Sequence, residues 1–207
     1  MTIEIQPLQA EYRQDVINLI MSSFFTQEPL NSKLHFEIPH EPLAWVDYIF
    51  DCALRDDCSF VAIDTETPYK TIDGVILNGI SNRADKDESH DFPSDKLTFI
   101  YSLIDKVSYG HNLFELYQTG RIFHCDIINI DESQRGKKLS ARLIEASLEK
   151  ARQLGVKGAS VVCTSLFSRK AFLHQGFQII NEVFYSGYDR LTDMGVHDRC
   201  TLLAKQL

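Results

Sequence analysis

Apolar and polar positions along the chain switch between a period near two and a period near 3.6. Ile3 and Ile5 alternate with polar neighbours up to Pro7, which predicts a first strand. From Glu11 to Phe24, Tyr12, Val16, Leu19, Ile20 and either Ser23 or Phe24 keep helical spacing, and "TQEPLNS" breaks that pattern at Pro29. A second helix is predicted from "HEPLAW" to about Arg55, with Pro42 at a first-turn position and Trp45, Tyr48, Ile49 and Cys52 on one face. "SFVAID" and "DGVILNGI" are β-branched runs that predict two antiparallel strands, with "TETPYKTI" as the hairpin loop between them. The polar stretch "SNRADKDESHDFPSD" predicts a mobile loop, after which Lys96 to Val107 returns to helical spacing.

"RIFHCDIINI" is apolar on both faces, as a central strand is. It runs into "RGKKLSARLIEASLEKARQLG", Arg135 to Gly155, where Leu139, Leu143, Ile144, Leu148, Ala151 and Leu154 form one broad helical face and Gly155 supplies the stop. "GASVVCTS" predicts a further strand, and Leu166 to Gln175 a short helix ended by Gly176. "FQIINEVFYSGY" and "HDRCTLLAKQL" predict closing strands. This order implies an α/β chain of the α+β kind, a central mixed β-sheet with helices on both faces. With 207 residues, 44% of them hydrophobic, a single domain over 1–207 has enough apolar surface for its own core.

A net charge of −8 lacks the global field of a nucleic-acid binder and favours cationic small molecules instead. Cys52, Cys58, Cys125, Cys163 and Cys200 are dispersed, odd in number and without a CxxC pattern, so free buried thiols in a reducing compartment are expected. "MTIEIQPLQAEYRQDV" has neither a basic region nor an apolar run, and no stretch reaches the roughly 18 apolar residues of a membrane span. The expectation is a cytosolic protein without membrane or nucleic-acid partners, monomeric or weakly dimeric. The seven histidines show no HxxxH pairing, and no metal is expected.

Arg135, Lys137 and Lys138 sit where the positive end of a helix dipole makes each cation unfavourable by about 0.3 to 1 kcal/mol. A strand leading through "ESQRGKK" into a helix also aims backbone N–H groups at the carboxyl edge of the sheet, which suits an anion. Gly136 permits close backbone approach, and the cations can pair with phosphate oxygens. The competing reading has Asp131 and Glu132 neutralising a solvent-exposed turn. The run is no P-loop, because GxxxxGK[ST] is missing.

The run Arg135, Gly136, Lys137, Lys138, Leu139, Ser140 resembles the GNAT acetyltransferase signature, Arg or Gln, two residues, Gly, one residue, Gly or Ala. Lys138 and Ser140 depart from it. A second signature, Asn, two residues, Ala, three residues, Tyr, three residues, Gly-Phe, ends here at Gly176 and Phe177 and places Phe172 at the Tyr, Ser168 at the Ala and Ser165 at the Asn. Two further segments narrow the resemblance to the insect-type arylalkylamine N-acetyltransferases. One is Phe25, Glu28, Pro29, Leu30, Asn31, and the other is Cys163, Thr164, Ser165, Ser168.

That resemblance implies a GNAT-like fold, acetyl-CoA as cosubstrate, and acetyl transfer to the primary amine of a small arylalkylamine by direct attack in a ternary complex. An alkylammonium has a pKa of about 10.4, so its deprotonation near pH 7.4 costs about 4 kcal/mol and calls for a base. The resemblance assigns that role to Glu28, the acid to Ser168 and a supporting hydroxyl to Thr164. It further implies that Ile128 N–H polarises the thioester, and that Ile128, Ile130, Ser165 and the turn Arg135, Gly136, Lys137, Lys138, Leu139 and Ser140 hold the cofactor.

Other readings stay open for these residues. A Glu before Pro is commonly a solvated turn residue, and Thr164, Ser165 and Ser168 also suit a helix cap. Phe24, Phe25 and Tyr185 are candidate walls for the acceptor or ordinary core. His124 and Asp126, two apart on one strand face, are either part of a proton path or satisfied structural polars. A polyamine or protein amine as acceptor, and a CoA-binding module without turnover, are the rival functions.

Overall fold

The structure, a computed structural model, describes residues 2–66, 71–85 and 94–207. β1 (Ile3–Pro7) leads into α1 (Arg13–Leu19), which widens into one π-helical turn over Ile20–Phe24 and closes as the short α2 (Phe25–Gln27). α3 (Pro29–Leu34) and α4 (Leu43–Asp56) follow, then β2 (Phe60–Asp64), β3 (Ile72–Asn82), α5 (Asp95–Ser108) and the one-turn α6 (Leu113–Leu116). The second half runs β4 (Arg121–Ile130), α7 (Leu139–Gln153), β5 (Gly158–Cys163), α8 (Leu166–His174), β6 (Gln178–Phe184) and β7 (Arg199–Gln206).

Local chemistry accounts for most of these boundaries. Ser94 caps α5 by accepting from Leu97 N–H, and Asn112 caps α6 by accepting from Glu115 N–H. α7 stops where Gly155 takes a left-handed φ of 74°, and the Arg121 guanidinium donates to the exposed Leu154 carbonyl at 2.9 Å. Pro29 does more than break a helix. It forces Glu28 into an extended conformation, ψ 132°, and then serves as the first residue of α3.

Three expectations are corrected. Residues 29–34, expected as a break, are helical. "FYSGY" leaves the sheet after Phe184 and turns at Tyr185–Gly187. The helix expected from Arg135 begins at Leu139, because Gly136 (φ 80°) and Lys138 (φ 60°) both adopt the left-handed conformation. The three cations therefore precede the helix rather than occupy its first turn. The hairpin loop through "TETPYKTI" and the loop "SNRADKDESHDFPSD" fall largely on residues 67–70 and 86–93, outside the described residues.

The seven strands form one mixed sheet in the order β1-β2-β3-β4-β5-β7-β6, antiparallel except for β4 and β5. Val75, Leu77 and Ile127 face α1 and α4, whose Val16, Ile20, Val46, Ile49 and Phe50 share their core. Ile76, Phe123 and Cys125 face the other way, onto Leu139, Leu143, Ile144 and Leu148 of α7 and Phe172 of α8. A third core joins Leu103 and Val107 of α5 to Leu30, Tyr185, Cys200 and Leu202. Cys58, Cys125, Cys163 and Cys200 are buried free thiols, as expected, and Cys52 is half-buried.

Two register features open the centre of the sheet. Along β3 and β4, Leu77 pairs with Ile127 and Asn78 with Cys125, so Asp126 is the extra residue of a β-bulge. Beyond that point β4 and β5 part company: their parallel register ends at Cys125 and Val161, and Cys163 pairs only with Thr201 of β7.

Candidate active site

In the gap between the carboxyl halves of β4 and β5, central-strand backbone lacks a strand partner on one side. Asp131 N–H donates to the Asp73 carbonyl at 2.9 Å, toward β3. Strand alternation then turns the N–H and C=O of Asn129 toward β3 as well, and those of Ile128 and Ile130 into the gap. Both isoleucines are half-buried, consistent with an apolar lining.

Glu28 stands at this opening as the cap of α3. Its Oε2 accepts from Asn31 N–H at 2.8 Å, and its Oε1 accepts from the Thr164 hydroxyl at 2.7 Å. The side chain keeps some exposed surface, yet protein packs around the carboxylate, and that burial raises its pKa above the ordinary carboxylate value. The bonds from Asn31, Thr164 and Leu30 pull the other way without cancelling it. The Glu28–Thr164 bond joins the two segments that carried the resemblance, which lie 136 residues apart.

Beyond Thr164, Ser165 caps α8: its Oγ accepts from Ser168 N–H at 3.0 Å and lies 2.9 Å from Ser168 Oγ. The Ser168 hydroxyl also reaches the Ser165 carbonyl at 3.2 Å and bonds the buried Cys163 thiol. Capping is thus present at Ser165, and Ser168 beside it is half-buried. Phe172, at the position of the usual tyrosine, is fully buried edge-to-face against Phe177 and has no proton to give.

The basic turn lies at the carboxyl end of β4. α7 has no side-chain cap, and its first intrahelical bond runs from Arg142 N–H to the Lys138 carbonyl at 3.2 Å. The N–H groups of Leu139, Ser140 and Ala141 have no carbonyl earlier in the helix to bond. Arg135 bonds the Gln27 side chain, whose amide donates in turn to Glu132 at 2.9 Å, and Lys137 bonds Gln134. Asp131 is engaged by Ser133 N–H at 2.9 Å, and Lys138 is exposed and makes no ion pair among the described residues. Direct pairing of Asp131 or Glu132 with Lys138, the bland explanation of that lysine, is not found. A Cβ placed on Gly136 would meet nothing within 4 Å, so that backbone is open to a ligand.

Of the three aromatic candidates, Phe24 is half-buried. Phe25 is core, edge-to-face with Phe24, Phe36 and Trp45 at 5.1 to 6.0 Å. Tyr185 is buried and donates its hydroxyl to the Thr164 carbonyl at 2.7 Å. His124 and Asp126 do meet, at 3.5 Å, and Ser81 Oγ lies 3.1 Å from His124 Nδ1. Burial raises the Asp126 pKa, His124 lowers it, and Asp56 raises it. His124 lies so close to Gly79 that a Cβ there would fall 2.4 Å from Nε2. Among the described residues no group of three or more His, Cys, Asp or Glu side chains could hold a metal ion.

Two positioning residues escaped the sequence reading. Asn129 is buried in β4, accepts from Ser23 Oγ at 3.1 Å and donates to the Leu19 carbonyl at 3.3 Å, fixing the π turn to the sheet. The polar Asn inside the apolar run "DIINI" was its only signal. Gln27 ties the end of α2 to the basic turn, and nothing in its sequence neighbourhood marks it.

No family model matches the chain. The fold matches arylalkylamine N-acetyltransferase 2 of Aedes aegypti at a TM-score of 0.87 and 26% identity, covering 100% of this chain and 99% of that one. A Drosophila melanogaster polyamine N-acetyltransferase that forms N-acetylagmatine matches at 0.83 and 19%, over 100% of both chains. An Arabidopsis thaliana protein solved in complex with acetyl-CoA matches at 0.60 and 12%, over 100% of both. With its splayed mixed sheet, bulged β4 and uncapped α7, the chain has the GNAT fold and, within that superfamily, resembles the insect arylalkylamine N-acetyltransferases.

Proposed function

We propose that the chain is an acetyl-CoA-dependent N-acetyltransferase acting on the primary amine of arylalkylamines such as dopamine, serotonin, tyramine, tryptamine or octopamine. The observation that carries the proposal is the Glu28–Thr164 hydrogen bond at the mouth of the gap between β4 and β5. A carboxylate whose pKa is raised by burial, yet held by two donors, suits the deprotonation of an ammonium near neutral pH.

The chain offers a donor set that fits acetyl-CoA. The free edge of Ile128 and Ile130 suits a pantetheine amide arm, and the N–H groups of Leu139 and Ser140, with Arg135, Lys137 and Lys138, suit a pyrophosphate. Gly136 and Ser165 border that path. When bound, acetyl-CoA supplies an activated acyl group. Glu28 takes the proton of the ammonium, Thr164 orients Glu28, and Ile128 N–H draws charge onto the acyl oxygen. Ser168 donates to the leaving sulfur. Phe24, which is half-buried, is the aromatic side chain assigned to the acceptor ring in this reading. Phe25 supports it from the core, and Tyr185 acts from behind Thr164.

One observation favours a second reading, a diamine or guanidino acceptor. Asp126 and His124 lie on the α4 side of β4, with Asp56 near enough to raise the Asp126 pKa. Carboxylates on that face would attract a second cation. The test is thiol release from acetyl-CoA across aromatic monoamines, polyamines and agmatine. The proposal expects the highest kcat/KM with an aromatic monoamine. A preference for polyamines selects the second reading, and no release with any amine rejects both.

A further inference from the structure

The Tyr185 hydroxyl touches neither Glu28 nor the gap, yet it is bonded to the residue that holds Glu28. Tyr185 opens the turn after β6, is 1% exposed, and packs among Leu30, Cys200 and Leu202. Its N–H donates to the Asp198 carbonyl at 2.9 Å and its carbonyl accepts from Tyr188 N–H at 3.0 Å, so its backbone is held on both sides. Its Oη donates to the Thr164 carbonyl at 2.7 Å. Thr164 is the first residue past β5, beyond the last pairing of Cys163 with Thr201, and has left the ladder. Its hydroxyl donates to Glu28 at 2.7 Å.

We propose that Tyr185 is a positioning residue for acetyl transfer. Its buried hydroxyl clamps the Thr164 main chain so that the Thr164 hydroxyl is presented to the Glu28 carboxylate, an inference that rests on Glu28 being the base. A buried phenol bonded to a carbonyl is a fixed donor, and burial pushes the Tyr185 pKa up, so it stays protonated. The titratable groups that sense Glu28 are Tyr185 and Cys200, and Tyr185 also senses Cys163 and Asp198. Both thiols are pushed up to about 12 and are neutral in the working range. Asp198 is held low by Arg199. Glu28, raised above an ordinary carboxylate, is the group of this nest that Thr164 bonds directly, and His197, lowered by burial, titrates beside it where it accepts from Leu166 N–H. Loosening Thr164 weakens a bond to the charged form of Glu28 and moves the Glu28 titration upward.

The experiment titrates the Glu28 carboxyl by 13C NMR in the full chain, assigned by its absence in Glu28→Gln, for wild type, Tyr185→Phe, Thr164→Val and the double variant. Tyr185→Phe and Thr164→Val are both expected to raise the Glu28 pKa, with the double variant no further than Thr164→Val. In thiol release, Tyr185→Phe should lower kcat/KM on the acid side by ~3- to 10-fold, the worth of one modest hydrogen bond, with KM for acetyl-CoA unchanged. A Glu28 titration in folded Tyr185→Phe that superimposes on wild type overturns the inference. So does a Thr164→Val titration that does not move, which decides the matter should Tyr185→Phe fail to fold, because the Tyr185 hydroxyl is hydrogen-bonded to Thr164 and not to Glu28. The NMR reading needs no turnover, so a chain that releases no thiol refutes the proposed function and leaves this test standing.

Discussion

Glu28 combines a cap, a carboxylate packed around by protein and the proposed base in one side chain, and these roles have opposite effects on stability. Its folded pKa lies above the unfolded value because burial outweighs its donors. Such a group contributes its full stability below the unfolded pKa and loses it as pH rises through the folded pKa. Glu28→Gln, which can still accept from Asn31 N–H and bond the Thr164 hydroxyl, is therefore expected to be more thermostable than wild type near pH 8. That advantage should shrink to nothing in acid, as Tm measured across pH will show. Lys138 carries a different cost. It adopts φ 60° where the superfamily signature has glycine, a conformation that costs a side-chain-bearing residue about 1 kcal/mol. Lys138→Gly should stabilise the fold by ~0.5 to 1 kcal/mol, less the entropy gained by the unfolded chain, read as a shifted denaturant midpoint at constant slope. The departure at Lys138 was legible in the sequence, but its reason was not: a left-handed φ belongs to the turn, and no periodicity reports it.

Among the elements, those legible in the sequence were the ones with a long, one-sided apolar pattern. α7 shows this most clearly: its face from Leu139 to Ala151 is buried as expected, while the four residues before it are governed by two left-handed backbones that hydrophobic spacing does not register. The π turn was invisible for a related reason, since five residues cannot separate a wider helical period from 3.6. That turn has a use. It leads the chain to the Glu28 cap, and Asn129 pins it by bonding Ser23 and the Leu19 carbonyl. Asn129→Ala removes both bonds in a buried place and takes from the Ser23 hydroxyl its side-chain acceptor. It should cost ~1 to 3 kcal/mol and lower Tm by several degrees, as calorimetry would register. α3 was missed because Pro29 was read only as a stop, when a proline also suits the first turn of the next helix.

At the scale of the whole molecule, the mixed sheet and its two helical faces followed from the order of elements, but the opening in the sheet did not. It depends on a single extra residue, Asp126, and on the β4–β5 register ending at Cys125 and Val161 while β4 stays paired with β3 and β5 with β7. Both are matters of register between distant strands, and sequence patterns carry little of that. The opening is what brings Glu28, Thr164 and Ser168 to one edge of the sheet and the basic turn to the same end of β4. The sequence resemblance named those residues. The fold explains why one chain places the proposed base, the proposed donor and the proposed anion cradle together.

That convergence is tested most directly by thiol release from acetyl-CoA with the best aromatic monoamine, followed across pH for wild type and Glu28→Gln. Wild-type kcat/KM should fall as acid protonates Glu28, along a limb displaced upward from an ordinary glutamate. Glu28→Gln should lose ~100-fold or more near pH 7 and lack that limb, recovering only where the amine ionises unaided. Full activity with an unchanged pH profile in folded Glu28→Gln would contradict Glu28 as the base.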